Sequence, residues 1–187
     1  MPATLRGHFL IAGPQLRDPN FFKSVVLIVE HNDEGSMGLV INRPSATTVE
    51  SALSGHFDLP PADGFVYQGG PVEQTALFLL HNSQLLDPDE TPILPDLFIG
   101  SCAEVFEEIV SQAAMDDSIQ YRIFSGCSGW GVGQLEGELA RGDWLIVKAC
   151  INVVFAEDPY EVWDALVEKV RKASRILPDH PENPEWN

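Results

Sequence analysis

Few side chains in this 187-residue sequence have the types and spacing that chemistry requires. Ser24 opens an apolar run, FKSVVLIVEH (22–31), which closes on His31, and Asn42 follows in SMGLVINRP (36–44). A serine, a histidine and an asparagine would make a hydrolase-type nucleophilic site if the base could reach the nucleophile. HNDEG (31–35) is turn chemistry between two β-favouring runs, so the two segments form a hairpin. Ser36 then lies opposite His31, and Asn42 or Arg43 opposite Ser24 or Val25. A strand rises ~3.3 Å per residue, which places Ser24 and His31 about 23 Å apart, far beyond hydrogen-bond reach. The remaining histidines, His8, His56, His81 and His180, share no metal-ligand spacing with each other or with His31. His31 and His81 each end an apolar strand, where a polar residue is expected to meet solvent.

A second candidate is SGCSGWGVGQLEGEL (125–139), which follows a strand and precedes a helix. Backbone N–H groups at such a junction attract anions. The glycine spacing matches neither GxGxxG nor GxxxxGK[ST], and no basic residue follows before Arg141. Glu136 and Glu138 would instead repel a bound phosphate by about 1 kcal/mol or more each at moderate dielectric. The glycines read as a tight turn with Trp130 packed beneath it. Cys127 lies in that bend close to a helix start, a setting that lowers a thiol pKa, but the neighbouring glutamates oppose thiolate formation. A packed, inert thiol is expected, with a reactive Cys127 as the alternative.

The hairpin gathers a polar corner at its open end. Arg17, Asp18 and Asn20 precede the first strand, Lys23, Asn42 and Arg43 flank it, and Arg6 is expected close by. Two readings stand. Asp18 could pair with Arg17, Lys23 or Arg43 as an ordinary strand-end network. Alternatively, the corner receives an acidic ligand or a peptide carboxylate, which arginine binds bidentately. Tyr67, Gln68, Gly69 and Gly70 could line a neighbouring groove, since glycine lets a partner backbone approach closely. The proposed groove joins Arg17, Asp18, Asn42, Arg43, Tyr67, Gly69, Gly70, Trp130 and Gln134.

These residues need a scaffold. TTVESAL (47–53) reads as a short helix capped by Thr47. FVYQGGPV (65–72) and TALFLLH (75–81) read as strands, LDPDETPILPDLF (86–98) as a long acidic loop, and IQYRIF (119–124) as a strand. SCAEVFEEIVSQAA (101–114) carries a Ser101/Glu104 capping box and an apolar stripe of Val105, Phe106, Ile109, Val110 and Ala113. DWLIVKACINVVF (143–155) reads as a strand bent or broken near Cys150. DPYEVWDALVEKVRKA (158–173) is a helix capped by Asp158, with Tyr160, Trp163, Val167 and Val170 toward the core. Strands joined by short turns predict an α+β domain with a mostly antiparallel sheet. One domain over 1–176 is expected, followed by a flexible, acidic, Pro-rich tail over 177–187.

Composition narrows the function. The net charge is −17, from 28 acidic and 11 basic residues. Such a chain repels nucleic-acid backbones and anionic membranes, so direct nucleic-acid contact is disfavoured. Three separated cysteines with no CxxC pair argue against a disulfide scaffold or a thiolate zinc site, and no membrane span or leader is expected. A soluble, cytoplasmic protein is expected, monomeric or weakly dimeric, without metal or cofactor.

Three blocks, GHFLIAGPQLRDPNFFKSVVLIVEHNDEGSMGLVINRP (7–44), YQGGPVEQTALFLLH (67–81) and SGWGVGQLEGELARGDWL (128–145), resemble the signatures of the bacterial YqgE/AlgH family. The resemblance implies an α+β fold whose sheet curls into a pseudo-barrel with about three helices packed on it. Some members are labelled candidate transcriptional regulators, and no catalytic residues carry over. Members usually have Gly-Tyr-Ala-Gly-Trp where this chain has Gly126, Cys127, Ser128, Gly129 and Trp130, and often a Gly-His-Ala tail where this chain ends PENPEWN. The leading expectation is a non-enzymatic binding or regulatory module acting through a protein or small ligand. The alternative is a hydrolase or thiol-dependent enzyme centred on Ser24 or Cys127.

Overall fold

The computed structural model describes residues 4–54, 62–100 and 102–175. Nine strands form one open, mixed sheet: β1 His8–Ala12, β2 Val25–Asn32, β3 Gly35–Val40, β4 Pro44–Thr48, β5 Phe65–Gln68, β6 Val72–His81, β7 Phe98–Ile99, β8 Tyr121–Trp130 and β9 Trp144–Lys148. The main path runs β4-β5-β8-β3-β2-β1-β9, with β6 and β7 branching from β8. Every pairing is antiparallel except β5 with β8. The expected α+β class therefore holds. The described helices number five rather than about three: α1 Val49–Leu53, α2 Ala103–Ala113, α3 Gln134–Ala140, α4 Ile151–Val154 and α5 Val162–Arg175.

β2 is strand because Val25–Val29 is apolar throughout and β-branched at all but Leu27, and it is buried on both faces. Val25, Leu27 and Val29 point into one core cluster, while Val26 and Ile28 point into another. Ser36 faces His31 across the hairpin, as the turn chemistry requires, with a bulge between Ile28 and Glu30. SMGLVINRP (36–44), one run in the sequence, holds the end of one strand and the start of another. β3 stops at Val40, and Pro44 opens the edge strand β4, where a missing N–H costs no ladder bond.

The largest departure from the sequence reading is the glycine stretch. Residues 125–130 are not a turn but the second half of β8. A Cβ on Gly69 would run into the carbonyl oxygen of Gly126, and Gly126 itself sits at φ 69°. These glycines serve close strand approach and a left-handed kink within β8. β8 thereby borders β6 and β5 with its first part and β3 with Ser128–Trp130.

Helix boundaries also shift. Thr48, not Thr47, caps α1, accepting from Ser51 N at 3.1 Å. The expected cap Ser101 lies outside the described residues, and the N-cap position of α2 is Cys102. β9 ends at Lys148, and INVV turns into α4 instead of continuing as strand. Asp158 accepts from Tyr160 N, but α5 starts only at Val162. Tyr160 therefore precedes the helix, escapes its periodicity, and is 73% exposed rather than in the core. The expected 177–187 tail lies outside the described residues.

Candidate functional site

The open end of the β2–β3 hairpin is built by side chains that satisfy backbone. Asp18 accepts from Asn20 N at 2.9 Å and caps a 3-10 turn, Pro19–Phe21. It does so instead of pairing with Arg17, Lys23 or Arg43. Asn42 replaces a ladder rung, accepting from Val25 N at 2.8 Å and donating to the Lys23 carbonyl at 2.9 Å. Lys23 pairs with Asp164 of α5 at 3.3 Å and lies over the Trp163 ring. Arg43 donates to the carbonyls of Asn20 and Phe22. Arg6, expected at this corner, lies at the other end of β2 and donates to the carbonyls of Val29 and Thr91.

Beside Arg43 is a cleft of about 240 Å³, lined by Asn20, Arg43, Gln68, Gly70, Gln74 and Ser125. Burial pulls the Arg43 guanidinium below its ordinary pKa. Among the described residues no carboxylate lies within ion-pair reach of it. The result is a partly desolvated cation surrounded by amides and a hydroxyl, in a chain of strongly negative charge. Such a donor set suits a small anion or a carboxylate, since arginine keeps further N–H groups beyond those spent on the two carbonyls.

Of the residues expected to share one groove, Arg43 and Gly70 line this cleft, with Asn42 and Asp18 fixing the turn and strand end beside it. The others are placed elsewhere. Gly69 bridges strands, accepting from Val40 N and donating to the Ser125 carbonyl. Tyr67 is buried beneath the Arg122 guanidinium, 4.2 Å from its ring centroid. Arg17 lines a separate depression with Glu138, Arg141 and Asp143. Gln74 and Ser125 were not anticipated. Ser125 reaches the cleft through the parallel register that sets it beside Gln68.

Trp130 and Gln134 belong to a staple instead. Glu138 Oε2 accepts from Trp130 Nε1 at 2.9 Å and from Trp144 Nε1 at 2.8 Å, while its Oε1 accepts from Gln134 Nε2 at 3.0 Å. Phe21 stacks on Trp130 and meets Trp144 edge-on. Half-buried Glu138 thus satisfies two indole N–H groups that the packed rings withhold from water.

The two candidate nucleophiles are placed unfavourably. Ser24 is 1% exposed and donates to the Phe21 carbonyl at 2.9 Å. His31, at the far end of β2, meets Glu136 at 3.1 Å. Cys127 sits mid-strand opposite Val72, not in a bend at a helix start. Burial, then Glu73, pushes its thiol pKa up, so the protonated form prevails at neutral pH. Cys102 and Cys150 are exposed. In the native protein these two should react with iodoacetamide at pH 8, and Cys127 only after denaturation; mass mapping of the alkylated peptides checks this. His81 does not meet solvent: it is fully buried. Among the described residues no three His, Cys, Asp or Glu side chains converge to hold a metal ion. Nor is any described helix long and apolar enough to cross a membrane.

An open, mixed α+β sheet with an arginine cleft at one hairpin end and a carboxylate–indole staple beside another strand defines the structural class. Residues 9–174 match the family described as AlgH-like, DUF179, and the chain belongs to that family. It is 34% identical over 186 residues to a UPF0301 protein of Streptomyces avermitilis, covering 99% of this chain and 96% of that one. A UPF0301 protein of Myxococcus xanthus is 38% identical over 159 residues, covering 83% and 84%. The solution structure of the AlgH protein from Pseudomonas aeruginosa superposes with a TM-score of 0.71 at 34% identity, over 96% of this chain and 92% of that one. A Corynebacterium diphtheriae protein, DIP2367, shares the fold at a TM-score of 0.70 and 24% identity, over 95% and 88% of the two chains.

Proposed function

We propose that this protein is a non-enzymatic, cytoplasmic binding module, monomeric or weakly dimeric, whose recognition element is the Arg43 cleft. The observation that carries this reading is a partly buried guanidinium without a carboxylate partner among the described residues, ringed by Asn20, Gln68, Gln74 and Ser125. The ligand is an acidic small molecule or a peptide carboxylate. A regulatory role in transcription would then run through that partner and not through DNA, since a chain of net charge −17 gains nothing from phosphate neutralisation.

The test is capture from bacterial lysate on immobilised protein, with Gln68→Glu as the main variant. That change places a carboxylate beside Arg43 without removing the two carbonyl bonds that Arg43 makes. Capture is expected to fall at least tenfold with Gln68→Glu at unchanged melting temperature, and Arg43→Gln should abolish it. Equal capture by wild type and Gln68→Glu would discard the cleft. A duplex gel shift at modest salt should show no complex, and tight duplex binding would overturn the indirect route.

A further inference from the structure

His81 is the least satisfied buried polar group in the described protein. Its side chain is 0% exposed and its Nε2 makes no hydrogen bond. The ring stacks on Phe98 of β7, with centroids 5.7 Å apart. Nδ1 accepts from Ser83 N at 3.3 Å, so in the neutral ring the proton sits on Nε2. That nitrogen lies 3.5 Å from Asp87 Oδ2, without a hydrogen bond between them, and Asp87 is itself 1% exposed. Buried polar groups are normally paired, and a poorly satisfied one calls for an explanation.

The pair sits at the root of one segment. Residues 82–97 leave β6 and return as β7. Asn82 pins the start, donating to the Ser118 carbonyl at 2.9 Å and accepting from Gln120 N at 2.8 Å. Further on, Arg6 holds the Thr91 carbonyl at 2.8 Å, and Ile93 and Leu97 enter the main core cluster. Between these points Leu85 is 92% exposed, while its neighbours Leu86 and Asp87 turn inward, Leu86 against the third core cluster.

We propose that residues 82–97 form an acid-released flap, held shut by the uncharged imidazole of His81 between Ser83, Phe98 and Asp87. A proton added at Nδ1 removes the acceptor of Ser83 N–H and places a cation in a site withdrawn from solvent, a desolvation cost that the attraction of the Phe98 face offsets only in part. Asp87 from the flap opposes this by attraction. Ser83 on the same chain turn and Phe98 on β7 carry no charge, and Tyr121, opposite on β8, is neutral at these pH values because burial, then Asp63, raises its hydroxyl pKa. Desolvation outweighs Asp87, so the histidine sits below its ordinary value of 6.5 in the closed state. The sign follows. Opening, which hydrates the ring, restores the ordinary value, so the open form binds the proton more readily. Closure is fully supported above pH 6.5 and weakens as pH falls below it, by up to about tenfold per pH unit for one linked proton.

Amide exchange of the full chain, followed by mass spectrometry and corrected for intrinsic rates, tests this between pH 7.5 and 5.5. Protection over 82–97 is expected to fall by up to about tenfold at the lower pH, while β2 and α5 keep theirs. The double variant His81→Phe/Asp87→Asn, which retains the ring stack and carries no titrating pair, should show no such change. If that variant does not fold, the wild-type His81 ring signals settle the matter by NMR. They should show less protonation at pH 6.5 in the closed state than an ordinary imidazole does. Equal protection at both pH values, a loss that persists in the double variant, or ordinary titration of a closed His81 would each overturn the flap.

Discussion

Replacing Trp130 by alanine is expected to destabilise the fold by about 3–5 kcal/mol, as loss of a large buried aromatic does. Trp130 is 5% exposed, with Phe21 and Trp144 rings 6.1 and 6.0 Å from its own. The cavity left behind would be bounded by rigid rings and by the β3–β8 pairing, which cannot collapse into it. Trp130→Phe keeps part of the volume and loses the hydrogen bond to Glu138, so it should cost about 1–2 kcal/mol more than a repacking change alone. Urea denaturation followed by far-ultraviolet circular dichroism reads both values. A Trp130→Ala loss below about 1 kcal/mol would show that the ring is not packed as described.

Arg122→Met is expected to cost about 2–4 kcal/mol, because buried carbonyls left unpaired carry their full desolvation penalty. Arg122 donates to the Val154 carbonyl at 2.6 Å and to the Ala156 carbonyl at 3.0 Å, fastening the end of α4 to β8. The Tyr67 ring lies against the guanidinium face. Burial pulls Arg122 below its ordinary pKa, as befits a cation whose partners are dipoles and a π-face rather than a carboxylate. Arg122→Lys should recover little, since an ammonium cannot present the planar fork that meets two carbonyls at once. Thermal melts of the two variants side by side check this. Equal stability of Arg122→Lys and wild type would show that charge alone suffices.

Local patterns were legible in the sequence. The β2–β3 hairpin and its His31–Ser36 register follow from five consecutive apolar residues and one turn, and α2 follows from its stripe. β1 was not foreseen: HFLIA is short and bounded by Gly7 and Gly13, yet it becomes the strand between β2 and β9. Glycines misled in β8 because their usual local meaning is a bend, whereas here a distant strand needs room beside them. Ser125 could not be assigned to the cleft, because parallel pairing of β5 with β8 links segments more than fifty residues apart, and Gln74 because the antiparallel pairing of β6 with β8 is equally a tertiary contact. The buried state of His81 was hidden because the chain leaving β6 folds back over it, bringing Asp87 and Phe98 against the ring.

β8 touches three other strands. Among the described residues, β8 therefore joins the strands that precede and follow it in the sheet into one hydrogen-bonded unit. Fragments ending before residue 121 would lack the common neighbour of both portions and should remain unfolded alone, and a pair of fragments divided near that point should regain structure only when mixed.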